Sequence, residues 1–346
     1  MSVRTVAGAR ETEWLPPDDP RLAWDGVAES ERLPGGWLPR RISRRRLATT
    51  LSPDFTRLAA MPAGIRCGVR TDARELVLRI GVEGGDAPVD VLVDGELALR
   101  AAVEGTRELS VPLGPEAEPR DVEVWLPNLG YVLVDEVGFR GHTVLAPAER
   151  TGPRWVTYGS SLTQSVFAAG PSETWSALVA REGGWRLHNL GFSGQAHLDP
   201  VVARTIRELP ADLISLELGI NVHNKGTFAE RSWTPAVCGF VETVRDGHPE
   251  LPIVVVTPLS SPEREDTENA AGLTLAQIRT RTAEAVRVLE RLGDRNLHTL
   301  DGLTVVPAAE ADGVYADGLH PTAEGEHVLA ARIGDFLRKV MPPSHS

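Results

Sequence analysis

Residues 155–164 read Trp-Val-Thr-Tyr-Gly-Ser-Ser-Leu-Thr-Gln, an apolar run that meets a glycine and then turns polar. A run so short, rich in valine and aromatics and closed by glycine, fits a strand buried on both faces of a parallel sheet. Similar runs recur at residues 187–190, 213–218 and 253–257. Amphipathic stretches separate or follow them, at residues 173–182, 201–209, 235–246 and 275–292. In the last of these Leu275, Ile278, Ala285, Val286 and Leu289 recur at near-helical spacing. A final helix is expected over residues 321–340, with Pro321 in its first turn and His320 at its cap. Strands alternating with helices predict a three-layer, doubly wound α/β domain.

Ahead of residue 147 the rhythm differs. Residues 65–71, 76–82, 97–103, 109–113, 122–126 and 132–139 are strand-like. Residues 89–93 alternate as Val-Asp-Val-Leu-Val and run into Asp94-Gly95, the signal of a type I′ hairpin. Short strands with no convincing helix predict an all-β sandwich, jelly-roll-like. The prolines between 147 and 153 mark a linker, so the expected domains are 1–148 and 149–346.

The chain has 346 residues, enough for two cores, with 42% hydrophobic and 24% charged residues. Its formal net charge of −12 argues against a general affinity for nucleic acid or anionic membrane. The basic run Arg40, Arg41, Arg44, Arg45, Arg46 is read as a solvated turn. No apolar stretch approaches the ~20 residues of a membrane helix. Residues 1–14 lack the apolar centre of a secretory leader, so a cytoplasmic protein is expected. Cys67 and Cys238 stand far apart and are read as buried thiols.

In a doubly wound sheet, ligands bind where strands end at their carboxyl side. Three segments leaving such ends carry polar groups: residues 158–164, residues 189–194 and residues 218–221. A fourth, Asp317-Gly318-Leu319-His320-Pro321, precedes the last helix. Acyl transfer needs a hydroxyl, a base to take its proton, and a carboxylate on the far side of the base. Ser161, His320 and Asp317 supply these. The N–H groups of Ser161 and Gly194 and the amide of Asn221 can meet the oxyanion of a tetrahedral intermediate.

These four segments, in this order, resemble the sequence blocks of the SGNH (GDSL-type) hydrolases. The resemblance covers about the last 190 residues. It implies a flavodoxin-like domain, a Ser-His-Asp triad, and oxyanion donors at the nucleophile, the block-two glycine and the block-three asparagine. Matching Leu162-Thr163 to the first block selects Ser161 over Ser160 as nucleophile. Two positions depart from the pattern. Ser160 stands where the family has aspartate, and Val222 follows Asn221 where aspartate is usual. His223 or Asn224 could replace the support that is lost. The N-terminal strands, with Trp24-Asp25-Gly26 and Phe55-Thr56-Arg57-Leu58, are similar to the β-sandwich found ahead of some SGNH esterases, carbohydrate acetylesterases included.

Blander readings exist for each residue taken singly. Ser160 and Ser161 could form a turn, Gly194 and Asn221 could serve only loop geometry, and His320 could merely start a helix. The four blocks together outweigh them. Gln164, His197, His223 and Tyr315 are candidate substrate contacts, while Trp175 and Phe192 are read as packing. His320, Glu324 and His327 have a spacing that could hold a metal, but Pro321 sets His320 apart from the helix. No phosphate loop or dinucleotide fingerprint is present. The expected protein is a cofactor-independent serine carboxylic ester hydrolase. Its implied substrate is a hydroxylated small molecule or sugar carrying a short acyl group. Acyltransferase and thioesterase readings share the same triad, and a glycan-binding protein with an inactive second domain is the rival from another class.

Overall fold

The computed structural model describes residues 11–114 and 118–341. The first ten residues, most of the segment read for a leader, lie outside the described residues. No helix among the described residues is long and apolar enough to cross a membrane.

The N-terminal part is one curled antiparallel sheet of ten strands. They are β1 (Glu13–Leu15), β2 (Ala23–Asp25), β3 (Glu29–Leu33), β4 (Gly36–Arg40), β5 (Arg66–Thr71), β6 (Glu75–Val93), β7 (Glu96–Pro112), β8 (Arg120–Trp125), β9 (Tyr131–Arg140) and β10 (Leu145–Pro147). The curl comes from β6. It pairs with β7 along its length, with β9 over Glu75 to Glu83, and with β8 over Asp90 to Val93. A register shift after Val82 lets the strand change neighbours without ending. The segments read separately as 76–82 and 89–93 are therefore one strand, as are 97–103 and 109–113. Gly84 and Gly105, both at positive φ, sit within these strands. Asp94 and Gly95 do form the tight hairpin, with φ of 49° and 83°. The curled sheet closes on a core that includes Leu76, Ile80, Val91, Val124, Val134 and Phe139.

The expectation of no helix in this half needs correcting. α1 (Arg44–Leu47) and α2 (Pro53–Ala59) join β4 to β5. Ser52 caps α2 by accepting the Phe55 N–H, and Pro53 opens it. Two turns were too short to show a period. They bury Phe55, Leu58 and Ala59 in the core of the other domain, where the Phe55 and Phe192 rings stand 4.8 Å apart. Arg41 is also no solvated residue. It is wholly buried and donates to the carbonyls of Met61 (2.6 Å), Leu58 (2.7 Å), Gly191 (2.8 Å) and Asn189 (3.1 Å). Its guanidinium ties the β domain to the strand that leads into residues 191–194.

The second domain has five parallel strands: β11 (Arg154–Gly159), β12 (Arg186–Gly191), β13 (Leu213–Glu217), β14 (Ile253–Val256) and β15 (Leu297–Leu300). Their order is β12-β11-β13-β14-β15, the flavodoxin-like arrangement with its switch point at β11. The helices are α3 (Ser161–Gln164), α4 (Trp175–Gly183), α5 (Pro200–Glu208), α6 (Ile220–Lys225), α7 (Glu230–Arg245), α8 (Leu275–Arg291), α9 (Gly302–Val305), α10 (Ala311–Val314) and α11 (Ala323–Val340). α7 begins before Pro235 and carries it within its first turns. The last helix starts later than expected. Pro321 bridges Tyr315 in an extended pairing, and Thr322 caps α11 by accepting the Gly325 N–H, so His320 is two residues outside the cap. Both cysteines are free thiols, Cys67 buried and Cys238 partly so.

Candidate active site

β11 ends at Gly159 and delivers two serines to the carboxyl edge of the sheet. No side chain fits at Gly159, because a Cβ there would come within 2.5 Å of Glu217 and 2.1 Å of Thr163. Ser160 takes the N-cap of α3, accepting the Leu162 N–H at 3.1 Å. Ser161 is the first helical residue and is 5% exposed. Its Oγ lies 2.8 Å from Nε2 of His320.

The loop between α10 and α11 holds the imidazole. Asp317 Oδ2 is 2.7 Å from His320 Nδ1. Its other oxygen accepts the backbone N–H of His320 at 2.7 Å and of Leu319 at 3.1 Å. The carboxylate thus shapes the loop and orients the ring together. Gly318, at φ 76°, allows the turn between them. Partial burial works to raise the Asp317 pKa, but the bonds from His320 and Leu319 outweigh it and hold the carboxyl below its ordinary value. With both ring nitrogens of His320 engaged, the metal reading of His320, Glu324 and His327 has no geometric support.

Gly194 lies in the loop after β12 at φ 70°, with open space where a Cβ would stand. Asn221 sits in the first turn of α6 and is buried. Its Oδ1 accepts the Ala196 N–H at 3.0 Å, which joins this turn to the Gly194 loop and sets the amide plane. Its amide nitrogen makes no hydrogen bond among the described residues. The support comes from Ala196 and from neither His223 nor Asn224. His223 Nε2 meets the Thr267 carbonyl at 2.9 Å, and Asn224 accepts from Arg264 at 2.9 Å.

Three of the four candidate substrate contacts are buried and one partly buried. Gln164 is wholly buried, donates to the Asn128 carbonyl at 3.0 Å and accepts the Ser193 N–H at 2.9 Å. It braces the site from behind. His223 and Tyr315 are buried too. His197 is partly buried, with Nε2 3.2 Å from the Gly194 carbonyl and Nδ1 2.9 Å from the Thr227 hydroxyl. Burial lowers its pKa. Its two contacts tie the ring to the Gly194 loop and to Thr227. Trp175 and Phe192 are packing residues, both buried.

Several site residues escaped the sequence reading. Phe167 is 51% exposed and meets the His320 ring edge-on, with centroids 5.3 Å apart. Glu217, at the end of β13, accepts from Ser160. Glu326, on α11, accepts the Ser165 hydroxyl at 3.0 Å and the Trp175 N–H at 2.7 Å. Asn128, from the β domain, donates to the Ser165 carbonyl at 3.3 Å, so that domain reaches the far end of α3. A signal for the two glutamates existed: each is a carboxylate at an otherwise apolar, core-facing position.

The GDSL-like Lipase/Acylhydrolase family model matches residues 157–328. No curated protein matches the chain. Among solved structures, the salicylyl-acyltransferase SsfX3 from a tetracycline biosynthetic pathway is 30% identical, over 96% of this chain and 99% of that one, with TM-score 0.87. A Bacteroides ovatus structure assigned as a GDSL-like lipase is 21% identical over 95% and 98%, with TM-score 0.79. A family two carbohydrate esterase from Clostridium thermocellum, in complex with cellohexaose, is 17% identical over 80% and 92%, with TM-score 0.63. The last two share the fold, β-rich domain included.

Proposed function

Because this chain belongs to the GDSL-like lipase/acylhydrolase family, we propose that it is a serine carboxylic ester hydrolase working through an acyl-enzyme on Ser161. The observation that carries this reading is the relay from Ser161 Oγ through His320 to Asp317, with links of 2.8 and 2.7 Å. His320 Nε2 accepts the serine proton as Oγ attacks the ester carbonyl. Asp317 keeps the Nδ1–H tautomer and stabilises the imidazolium that forms. The Ser161 and Gly194 N–H groups and the Asn221 amide meet the oxyanion. The imidazolium then protonates the leaving alcohol, and water reverses the sequence to free the acid. The substrate in this reading is a hydroxylated small molecule or sugar carrying a short acyl group such as acetyl, and no cofactor is required.

A second reading, acyl transfer to another alcohol, draws support from the salicylyl-acyltransferase, which is 30% identical across nearly its whole length. It uses the same acyl-enzyme and differs only in what attacks it.

The test is hydrolysis of p-nitrophenyl esters of graded chain length and of acetylated sugars, together with labelling by a fluorophosphonate. Ester cleavage with label on Ser161 is expected. A wild-type protein that neither cleaves nor labels would overturn the reading. Adding candidate alcohols and analysing products separates the two versions, since transfer yields a new ester in place of free acid.

A further inference from the structure

Two carboxyl groups approach the serine pair, and the reaction above uses only one. The other is Glu217, at the carboxyl end of β13. It is buried, and a single oxygen, Oε2, accepts the Ser160 N–H at 2.7 Å, the Ser160 hydroxyl at 2.7 Å and the Thr163 hydroxyl at 3.4 Å. The Ser160 hydroxyl in turn accepts the Leu162 N–H at 3.1 Å.

This chain of bonds accounts for the N–H groups on both sides of the nucleophile. Glu217 takes the one before it directly and the one after it through Ser160. The Gln164 N–H is spent on the Ser160 carbonyl at 3.0 Å. The Ser161 N–H is thereby left as a donor at the helix start, its direction fixed by bonds on either side. Position 160 is where the family pattern has aspartate. Here a serine hydroxyl relays the interaction, and the carboxyl is supplied from the neighbouring strand, 57 residues away.

The geometry points to Glu217 as a positioning residue that fixes the Ser160–Leu162 backbone, so that the Ser161 N–H faces the oxyanion. The inference rests on the acyl-enzyme reading, since only there does that N–H meet a developing charge. Oε1 of Glu217 has no partner among the described residues, and burial, against the bonds from Ser160 and Thr163, raises the carboxyl's pKa. All three bonds go to a single acceptor oxygen, which the amide of a glutamine of the same shape also offers.

The experiment compares Glu217→Ala, Glu217→Gln and Ser160→Ala in kcat, KM, and inhibition by a trifluoromethyl ketone, which forms an oxyanion on the serine. The amide oxygen of the Gln variant can accept the same bonds, so its kcat should stay within about threefold of wild type. Glu217→Ala should lose about a hundredfold in kcat, the lower end for loss of one oxyanion donor. KM should change little, and ketone inhibition should weaken in parallel. Ser160→Ala, which keeps the direct N–H bond, should lose about tenfold in kcat at unchanged KM. Equal losses in the Ala and Gln variants, or a folded Ala variant with wild-type kcat, would overturn the inference. If Glu217→Ala fails to fold, Ser160→Ala decides: unchanged kcat and ketone affinity overturn the proposal, and a tenfold fall in both supports it. An inactive wild-type enzyme would instead remove the acyl-enzyme reading, which keeps the two failures apart.

Discussion

The loop bearing Asp317 and the strand end bearing Glu217 each bring a carboxyl group to one of two adjacent serines, and they do so in opposite environments. The Asp317 side chain is 47% exposed, has its pKa lowered by the hydrogen bonds it accepts, and acts on Ser161 through an imidazole. Glu217 is buried, has its pKa raised by that burial, and grips Ser160 directly. Glu326 resembles Glu217: buried, pushed up to about 8, and bonded to Ser165 at the other end of α3. The short helix that starts with Ser161 is thus clamped at both ends by buried carboxyls. In the proposed reaction Asp317 responds to a charge forming on imidazole, and its exposed position and lowered pKa suit an ionised group. Glu217 and Glu326 only accept hydrogen bonds around the short helix, and burial raises the pKa of both.

The largest effect expected from breaking this contrast is at the nucleophile. Ser161→Ala should lower kcat by at least ~10⁴-fold with the fold intact, because only binding and the oxyanion donors remain. Loss of fluorophosphonate labelling would accompany it. Should Ser160→Ala cost as much while Ser161→Ala still forms an acyl-enzyme, the two serines have been assigned in the wrong order.

Asp317→Asn tests the exposed carboxylate. An amide cannot stabilise the imidazolium and favours the wrong tautomer, so kcat should fall by up to ~10⁴-fold. The fall should persist across the pH range in which wild type is active. A variant within tenfold of wild type would show that His320 needs no carboxylate.

Asn221→Ala removes the proposed amide donor to the oxyanion and the acceptor for the Ala196 N–H. A loss of ~10²–10³-fold is expected, in kcat more than in KM, because the bond strengthens as charge develops on the carbonyl oxygen. A rise in KM at constant kcat would instead assign Asn221 to ground-state binding.

The smallest effect is thermodynamic. The Glu326 value of about 8 lies above the ~4.3 expected in the unfolded chain. Between those values the native state keeps a proton that the unfolded state has released. The contribution of this group is therefore most favourable below the lower value and declines as pH rises towards the upper one. Glu326→Gln should flatten that decline, seen as a smaller drop in Tm between pH 5 and pH 8 than wild type shows. Parallel profiles for the two proteins would mean that Glu326 is ionised in the fold.

In the sheet of the second domain β11, β13 and β14 were legible as largely apolar runs closed by glycine or polar residues. The two edge strands carry a weaker signal: Leu-His-Asn-Leu of β12 and Leu-His-Thr-Leu of β15 are both half polar, and only the first, closed directly by Gly191, was singled out. In the β domain, the period of two located β5, β8 and β9, while local turn signals cut β6 and β7 in half. β1 to β4 passed unread, being short or interrupted by glycine and proline. Ser161, Asp317, His320, Gly194 and Asn221 could be singled out because their chemistry, order and strand-end context agree. Glu217 could not be given a role, since nothing near it in sequence names Ser160 as its partner.

The amino-acid order by itself determined which segments become buried strands, which loops leave their carboxyl ends, and which reactive side chains those loops carry. Periodicity and turn chemistry act over a few residues and can be read without the rest of the chain. Only the tertiary structure decided that Ala196 steadies Asn221, that Arg41 is buried against carbonyls up to 150 residues away, and that a helix from the first domain completes the core of the second. Those outcomes depend on which distant segments come to lie side by side. A buried donor or acceptor must find its partner there, because water is no longer available to it.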